Sequence, residues 1–261
     1  MTADRSSRAR LSATARPFIT VAGLIAVWWF GARVSDVPAY LLPGPGSVAV
    51  ALWQQRTLLF WSTVTTLSET VLGLLIGTVL GSVFALGVVF SPVMQRWLMP
   101  LLLLSQAIPV FALAPLLVLW FGFGIASKVV MSVLVIFFPI TAAFSDGLRR
   151  TELGWLDLAR TMDASPLSIL RHVRLPAALP AFGSGLRVAT AIAPIGAVVG
   201  EWVGASAGLG YVMLNANARI QTDVMFAALF VLAVMAILLW VLVDRVLKRV
   251  LYWAPDTTAH L

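Results

Sequence analysis

The sequence contains no cysteine, which excludes a disulfide framework, a thiol nucleophile and any cysteine metal site. Lysine is present at only two positions, Lys128 and Lys248. Neither follows a glycine, so a GxxxxGK(S/T) phosphate-binding loop is excluded as well. The two histidines, His172 and His260, are far apart, and no group of His, Asp and Glu has the spacing of metal ligands. We therefore expect no metal site, no cofactor and no catalytic nucleophile–base pair in this chain.

Charge is also scarce. Charged residues make up 11% of the chain and hydrophobic residues 60%, and the mean hydropathy is +0.96. This balance is typical of a multi-pass membrane protein rather than of a soluble domain. At about 20 residues per span, the sequence predicts six helical spans, at roughly 17–35, 62–90, 97–121, 127–146, 180–201 and 224–250. The second and the sixth are longer than a bilayer is thick, so we expect them to tilt or to extend beyond it.

The net charge of +7 would suggest nucleic-acid binding in a soluble protein, but membrane topology explains it here. With a cytoplasmic N-terminus, thirteen Lys and Arg residues lie in the cytoplasm and four lie outside, with Arg187 inside the fifth span. The positive-inside rule therefore places both termini in the cytoplasm. We predict a basic tail over 1–16, a single transmembrane domain over 17–251 and a second cytoplasmic tail over 252–261. No nucleic-acid partner is expected.

The stretch 157–176, DLARTMDASPLSILRHVRLP, is polar in an otherwise apolar chain. Its three arginines would cost about 2.5–3.5 kcal/mol each at mid-membrane, which places it outside the bilayer. Ser165 and Pro166 suit the N-cap and first position of a helix, and Leu175-Pro176 should end that helix. Apolar residues recur at helical spacing on both sides of the turn, at Leu156, Ala159, Met162, Leu167, Leu170 and Val173. The pattern predicts a helix–turn–helix whose apolar stripe needs a protein partner; an ordinary basic loop is the alternative.

Two predicted spans carry small residues at every fourth position. Such stripes let helix backbones approach closely, because lipid provides no hydrophobic drive for helix association. We therefore expect these residues to pack helices together, and a direct functional role is the alternative. The residues are Gly73, Gly77 and Gly81 in the second span and Gly196 and Gly200 in the fifth.

Five residues in or near the spans are candidates for lining a pathway through the membrane: Gln106, Trp120, Glu201, Asn215 and Asn217. Gln106 lies three residues before Pro109, in a span whose prolines should kink the helix. Glu201 is a candidate because an acidic residue near the membrane plane is often functional, although it could equally lie at the outer interface. An interhelical hydrogen bond for Gln106 and a solvated loop for the two asparagines are alternative interpretations.

The 157–176 stretch resembles the EAA loop of ABC importer permeases: Glu-Ala-Ala, three residues, Gly, nine residues, Ile, one residue, Leu-Pro. Asp157-Leu158-Ala159 stands for the triplet, Asp163 for the glycine, Val173 for the isoleucine and Leu175-Pro176 for the ending. Asp is one of the few residues that replaces glycine at positive φ at modest cost. The resemblance implies contact with an ATPase through Asp157, Ala159, Arg160, Asp163, Ala164, Ser165 and Pro166.

The resemblance covers nearly the whole chain, since LLPGPGSV, IPVFALAPLLVLWFGFG and GAVVGEWVGASAGLGYVMLNANARIQTDVMFAAL are similar to the nitrate/sulfonate/taurine permease group. It implies an all-α type I importer permease with six transmembrane helices in a bacterial inner membrane. The implied partners are a second copy of the chain, two ATPase subunits that bind ATP and Mg, and an external binding protein.

Within this group, three motifs resemble permeases for thiamine precursors of the hydroxymethylpyrimidine type: Gln106-Ala107-Ile108-Pro109, Gly200-Glu201-Trp202 and the Asn-Ala-Asn-Ala-Arg run from Asn215. An alkylsulfonate, taurine or nitrate is the alternative cargo. A non-ABC secondary transporter is the more distant alternative, although such proteins normally show repeat-related halves and charged residues at mid-span.

Overall fold

The computed structural model describes residues 19–20, 22–34, 37–38 and 40–254. These residues form helices joined by short turns, with no strand among them, so the predicted all-α fold is confirmed. The described residues form two compact units, one within 1–59 and 212–230 and the other within 60–211 and 231–261. The helices are α1 (Ala22–Val34), α2 (Pro45–Gln54), α3 (Arg56–Phe90), α4 (Pro92–Ala107), α5 (Val110–Phe121), α6 (Ile125–Arg149), α7 (Leu153–Thr161), α8 (Pro166–Ile169), α9 (Leu175–Gly204), α10 (Leu209–Ala218) and α11 (Thr222–Val250).

Four helices in the described part of the chain are long and apolar enough to cross a bilayer: α3, α6, the continuous helix Pro166–Gly204 and α11. At 1.5 Å per residue, the 35 residues of α3 extend for about 52 Å, well beyond a hydrocarbon core of about 30 Å. The shorter apolar helices α1 and α5 coincide with parts of the predicted first and third spans. The count of six spans therefore stays a prediction.

The predicted third span is interrupted where α4 ends and α5 begins. Pro109 has no amide hydrogen, and its ring would clash with the carbonyl four residues earlier, so a regular helix cannot continue through it. Ile108, the residue before it, is extended with φ −83° and ψ 119°, as expected before a proline. The break predicted from the prolines is thus confirmed at Pro109, whereas Pro100 and Pro115 lie inside helices.

Helix α6 lies at the centre of the larger unit. Its buried Ile136 and Ile140 pack with Leu74 of α3 and with Ala189 and Ala193 of α9. Further clusters extend this core along α6, with Phe144 and Leu148 against Ala85 and Ala178, and Met131 against Ala114 and Leu117. Helices α3, α5 and α9 are therefore held together through α6.

The glycine stripes of α3 and α9 face α6. Cβ atoms built on Gly73, Gly77 and Gly81 would contact Ser132, Ile136 and Ile140, respectively. On α9, Gly196 faces the backbone of Ser132, and Gly200 faces the backbone and side chain of Lys128. Since glycines and partners advance by the same four residues, the helices stay close over several turns.

The prediction that Leu175-Pro176 ends a helix is wrong. The chain is helical from Pro166 to Gly204, a length of 39 residues, and Pro176 lies in the first turn of α9. A five-residue π turn, Leu170–Arg174, precedes it, and the amide of Leu175 bonds to the carbonyl of Leu170, five residues back. This wider turn accommodates the proline, whose ring would clash with the carbonyl four residues earlier in a regular α-helix.

Candidate functional site

Helix α7, the turn over 162–165, α8 and the π turn form a compact element, the 153–174 hairpin. Its turn depends on Asp163, which has φ 56°. The amide of Asp163 bonds to the carbonyl of Arg160, and the amide of Ala164 to that of Ala159, both at 3.0 Å. This is the Schellman pattern that normally ends a helix with glycine. The prediction that the chain turns with positive φ at Asp163 is therefore confirmed.

The second helix of the hairpin begins as its sequence predicts. The side chain of Ser165 accepts a hydrogen bond from the amide of Ser168 at 3.3 Å, and Pro166 occupies the first turn. Proline suits this position because the amide it lacks would have no partner inside the helix. The predicted N-cap and helix start are confirmed, and with Asp163 they fix the direction of both helices.

The predicted apolar stripe of the hairpin divides between the interior and the surface. Leu156 is only 5% exposed and packs inside the protein, whereas Met162 is 74% exposed and Leu167 is 73% exposed. Ala159 and Ala164 are half-buried. Arg160 Nη1 lies 3.0 Å from Asp157 Oδ1, and both side chains are largely exposed. The hairpin therefore presents exposed apolar side chains beside an ion pair.

An open groove of about 780 Å³ lies beside the hairpin. Trp155, Leu158, Ala159 and Met162 line one part of it, and His172, Pro176 and Trp253 line another. The exposed apolar surface of α7 thus continues into a concave, largely apolar surface. A protein segment that docks on the hairpin would also bury the walls of this groove.

A second polar cluster lies at the opposite end of α9 and centres on Glu201, which is 1% exposed. Glu201 Oε1 lies 2.6 Å from the hydroxyl of Thr66 on α3, and Oε2 accepts the amide hydrogen of Gly210 at 2.5 Å. The Thr66 oxygen in turn accepts the amide hydrogen of Leu209 at 2.8 Å. We call Glu201, Thr66 and the amides of Leu209 and Gly210 the Glu201 cluster. It satisfies free amides at the start of α10, where a carboxylate also complements the helix dipole.

Gly208 makes this cluster possible. Its φ is 112°, a conformation that side-chain-bearing residues rarely adopt, and a Cβ there would overlap the carboxyl group of Glu201. The sequence Gly208-Leu209-Gly210 thus lets the chain turn tightly over Glu201 and direct two consecutive amides toward α9 and α3.

A buried ion pair lies next to the Glu201 cluster. Lys128 Nζ on α6 is 3.5 Å from Glu69 Oε1 on α3, with side-chain exposures of 8% and 1%. Glu69 and Thr66 are three residues apart on α3, so they share a helix face. From the sequence, Thr66 and Glu69 have no predicted role, and Lys128 is one of the four Lys and Arg residues expected outside the membrane. The sequence signal that could have revealed these contacts is that Glu69, Lys128 and Glu201 lie at similar depth in three apolar helices.

The five pathway candidates are in different environments. The side chain of Gln106 lies outside the described part of the structure, and Trp120 is 68% exposed on α5. Glu201 is buried in the protein interior, and its depth in the membrane stays a prediction. Asn215 is half-buried and Asn217 exposed on α10, in the other compact unit. Their common role in a pathway stays a prediction. Among the described residues, no three His, Asp or Glu side chains are grouped as metal ligands would be.

Residues 73–251, which contain both the hairpin and Glu201, match the family described as binding-protein-dependent transport system inner membrane component. A Haemophilus influenzae protein named probable ABC transporter permease protein is 53% identical over 237 residues, 91% of this chain and 97% of that protein. The formylaminopyrimidine transport permease protein ThiX of Halalkalibacterium halodurans is 38% identical over 88% of this chain and 92% of its own length. The riboflavin transport system permease protein RibX of Chloroflexus aurantiacus is 34% identical over 90% and 88%, respectively.

Among solved structures, an inward-facing form of the MetNI methionine ABC transporter contains a chain of similar fold. The TM-score is 0.66 at 23% identity, and the match covers 76% of this chain and 98% of that chain. The likeness shows that the two chains share a fold, which confirms the predicted type I importer permease architecture.

Proposed function

The chain belongs to the family of binding-protein-dependent transport system inner membrane components and is a permease subunit of an ABC importer, and we propose that it carries a pyrimidine thiamine precursor. In this proposal an external binding protein delivers the solute, and two copies of the chain enclose the pathway. Two separate ATPase subunits bind ATP and Mg, so this chain catalyses no reaction itself.

The observation that carries this function is the 153–174 hairpin. Its turn is built on the Schellman geometry of Asp163, and Leu158, Met162 and Leu167 are exposed beside it. Exposed apolar side chains on a charged segment outside the bilayer are typical of a protein interface. We therefore assign the hairpin and its adjoining groove as the surface that docks on the ATPase.

Charge supports the orientation that this docking requires. Arg149, Arg150, Arg160, Arg171 and Arg174 all lie in or next to the hairpin. An excess of arginine marks the cytoplasmic side of bacterial membrane proteins. The hairpin then faces the cytoplasmic ATPase, and both termini lie in the cytoplasm of a bacterial cell with the protein in its inner membrane.

The mechanism follows from the position of the hairpin between α6 and α9. Closure of the ATPase dimer on ATP displaces the hairpin, and the helices joined to it move with it. A rigid-body movement of this kind opens the pathway to one face of the membrane and closes it to the other.

The substrate proposal rests on the motifs around Gln106 and Glu201, and the formylaminopyrimidine permease supports it as a relative at 38% identity. Trp120 is an exposed aromatic side chain that would stack on a planar pyrimidine if it lines the pathway. Trp120→Leu should then lower transport of a pyrimidine, whereas Trp97→Leu, at another exposed tryptophan, should not. Equal rates of pyrimidine transport in the two variants would show that Trp120 does not line the pathway.

The decisive experiment reconstitutes the permease with its ATPase and binding protein in lipid vesicles. ATPase stimulation is measured with binding protein loaded with hydroxymethylpyrimidine, with riboflavin or with an alkylsulfonate. Stimulation by hydroxymethylpyrimidine alone supports the proposed cargo. Stimulation by riboflavin or by the alkylsulfonate would identify that solute as the cargo instead. A permease that transports solute without any ATPase subunit would contradict the importer assignment.

A further inference from the structure

Helices α6 and α9 form a closely packed antiparallel pair, and the 153–174 hairpin connects them at one end. Gly147 of α6 approaches the backbone of Ala178, and Gly185 of α9 approaches the backbone of Pro139. Further along, Gly196 and Gly200 approach Ser132 and Lys128. Backbone contacts thus recur over the length of the pair, so a displacement of the hairpin moves both helices together.

The other end of this pair carries Glu201. There the amide of Gly210, at the start of α10, bonds to a side chain on α9 rather than to a residue of its own turn. Helix N-termini are usually capped by a side chain just before the first turn. Here the acceptor is on α9, nine residues earlier, so a movement of α9 is transmitted to the start of α10 through this hydrogen bond.

Thr66 adds a third element to the same junction. Its hydroxyl lies 2.6 Å from Glu201 Oε1 on α9 and 3.1 Å from the carbonyl of Ser62 on its own helix, and the shorter contact is the one to Glu201. The same oxygen accepts from the amide of Leu209, so one hydroxyl bridges α3, α9 and the start of α10. The nearby Lys128–Glu69 ion pair joins α6 to α3 at the same level. The packed pair is therefore connected to its surroundings at this end through a few directional polar contacts.

We propose that Glu201 and Thr66 are positioning residues that transmit movement of the hairpin to the segment 205–211 at the far end of α9. The inference rests on the proposed function, because the movement originates at an ATPase. In the orientation given above, 205–211 lies on the external side of the membrane. The Glu201 cluster then couples the nucleotide state of the ATPase to the conformation of the external end of the pathway.

The test uses the complete complex in lipid nanodiscs and hydrogen exchange of the 205–211 backbone amides by mass spectrometry. Nucleotide-free complex is compared with complex trapped by ATP and vanadate. Thr66→Val removes the hydroxyl and with it the contacts to Glu201, to the Leu209 amide and to the Ser62 carbonyl on the same helix, and Thr66→Ser retains them. Thr70→Val is the matched control, since Thr70 is also buried on α3, one turn away. Its hydroxyl donates within its own helix, to the carbonyl of Thr66.

In the wild type, exchange of 205–211 should differ between the two nucleotide states. Thr66→Val should raise exchange roughly tenfold, the effect of losing about one hydrogen bond, and should abolish the difference between states. Thr66→Ser and Thr70→Val should behave as the wild type. Identical exchange in both nucleotide states of the wild type would overturn the proposal, whatever the substrate is.

A transport measurement separates positioning from simple structural support. In vesicles, Thr66→Val should hydrolyse ATP but transport several-fold less hydroxymethylpyrimidine per ATP, and Thr66→Ser should restore the ratio. If Thr66→Val raises exchange yet transports the same amount per ATP, the cluster is structural only and the proposal fails. If wild-type ATPase activity does not respond to any loaded binding protein, the proposed function fails, and the exchange comparison still decides the present inference.

Discussion

Gly196 of α9 faces Ser132 of α6 so closely that a Cβ on Gly196 would lie 2.6 Å from the Ser132 Cα. Real Cβ atoms essentially never approach a backbone atom to within 3.0 Å, so any side chain there forces the two helices apart. The contact also lies next to Gly200 and Lys128, and therefore next to the Glu201 cluster.

We predict that Gly196→Ala destabilises the protein. Overpacking of this kind costs about 1–3 kcal/mol, which exceeds the gain of up to about 1 kcal/mol from replacing a helical glycine by alanine. The midpoint of thermal unfolding in detergent should fall. Gly46→Ala, in α2 with open space around it, is the control and should leave the midpoint unchanged or raise it. Equal midpoints for the two variants would contradict this packing.

Asp163→Val should damage the hairpin more than Asp163→Gly does. The backbone at Asp163 has φ 56°, and an ordinary L residue in this conformation costs roughly 1–2 kcal/mol, with β-branched residues disfavoured most. Asp163→Gly should retain ATPase stimulation by loaded binding protein, and Asp163→Val should lower it. Both variants lack the carboxylate, so the difference between them reports the backbone conformation alone. A fully active Asp163→Val would show that the turn is not required.

Arg160→Glu should uncouple the complex without unfolding the permease. Exposed ion pairs such as Arg160–Asp157 contribute about 0–1 kcal/mol, so charge reversal costs little stability. ATPase stimulation should nevertheless be lost, because a repulsive charge is placed in the docking surface. Ala164→Trp should have the same effect through steric clash. Both variants are assayed for membrane insertion as well as for ATPase activity.

The control for charge reversal is Arg249→Glu, at the end of α11, which should remain coupled. A double variant, Asp157→Arg with Arg160→Asp, keeps the pair but exchanges its ends. ATPase stimulation should remain absent in this double variant if the ATPase contacts each charge at its own position. Wild-type coupling in Arg160→Glu and in Ala164→Trp would remove the hairpin from the interface.

Asp244→Asn should destabilise the protein more than Lys248→Met does. Asp244 is 13% exposed and accepts from Arg187 on α9 at 2.8 Å and from Lys248 at 2.9 Å. Asparagine still has an acceptor oxygen but no charge, so the half-buried Arg187 guanidinium loses its charged partner, which costs about 1–3 kcal/mol. Lys248 is 58% exposed, so its loss should cost about 0–1 kcal/mol. Thermal midpoints in detergent separate the two, and a larger drop for Lys248→Met would contradict this account.

Local rules were sufficient for the hairpin but not for the Glu201 cluster. The roles of Ser165, Pro166 and Asp163 follow from residues within one helical turn of each other, so their sequence predicts their conformation. Thr66 and Glu201 are 135 residues apart, and their contact depends on how α3, α6 and α9 pack. A proline inside a helical pattern normally predicts the end of the helix, and Pro176 does so here. The π turn that accommodates this proline has no recognised signal in the sequence, so the continuous helix could not be predicted.

That π turn, Leu170–Arg174, has a consequence for chain length. A single π turn inside an α-helix contains one residue more than the α-helical path needs, and the extra residue is absorbed as a bulge. Deleting one residue within α9 would rotate everything beyond it by about 100°. Deleting one residue within 170–174 would instead keep both flanking segments close to their original orientation, but it would remove the wider turn that accommodates the ring of Pro176. The hairpin is thus joined to α9 at the point where the chain is one residue longer than its path requires.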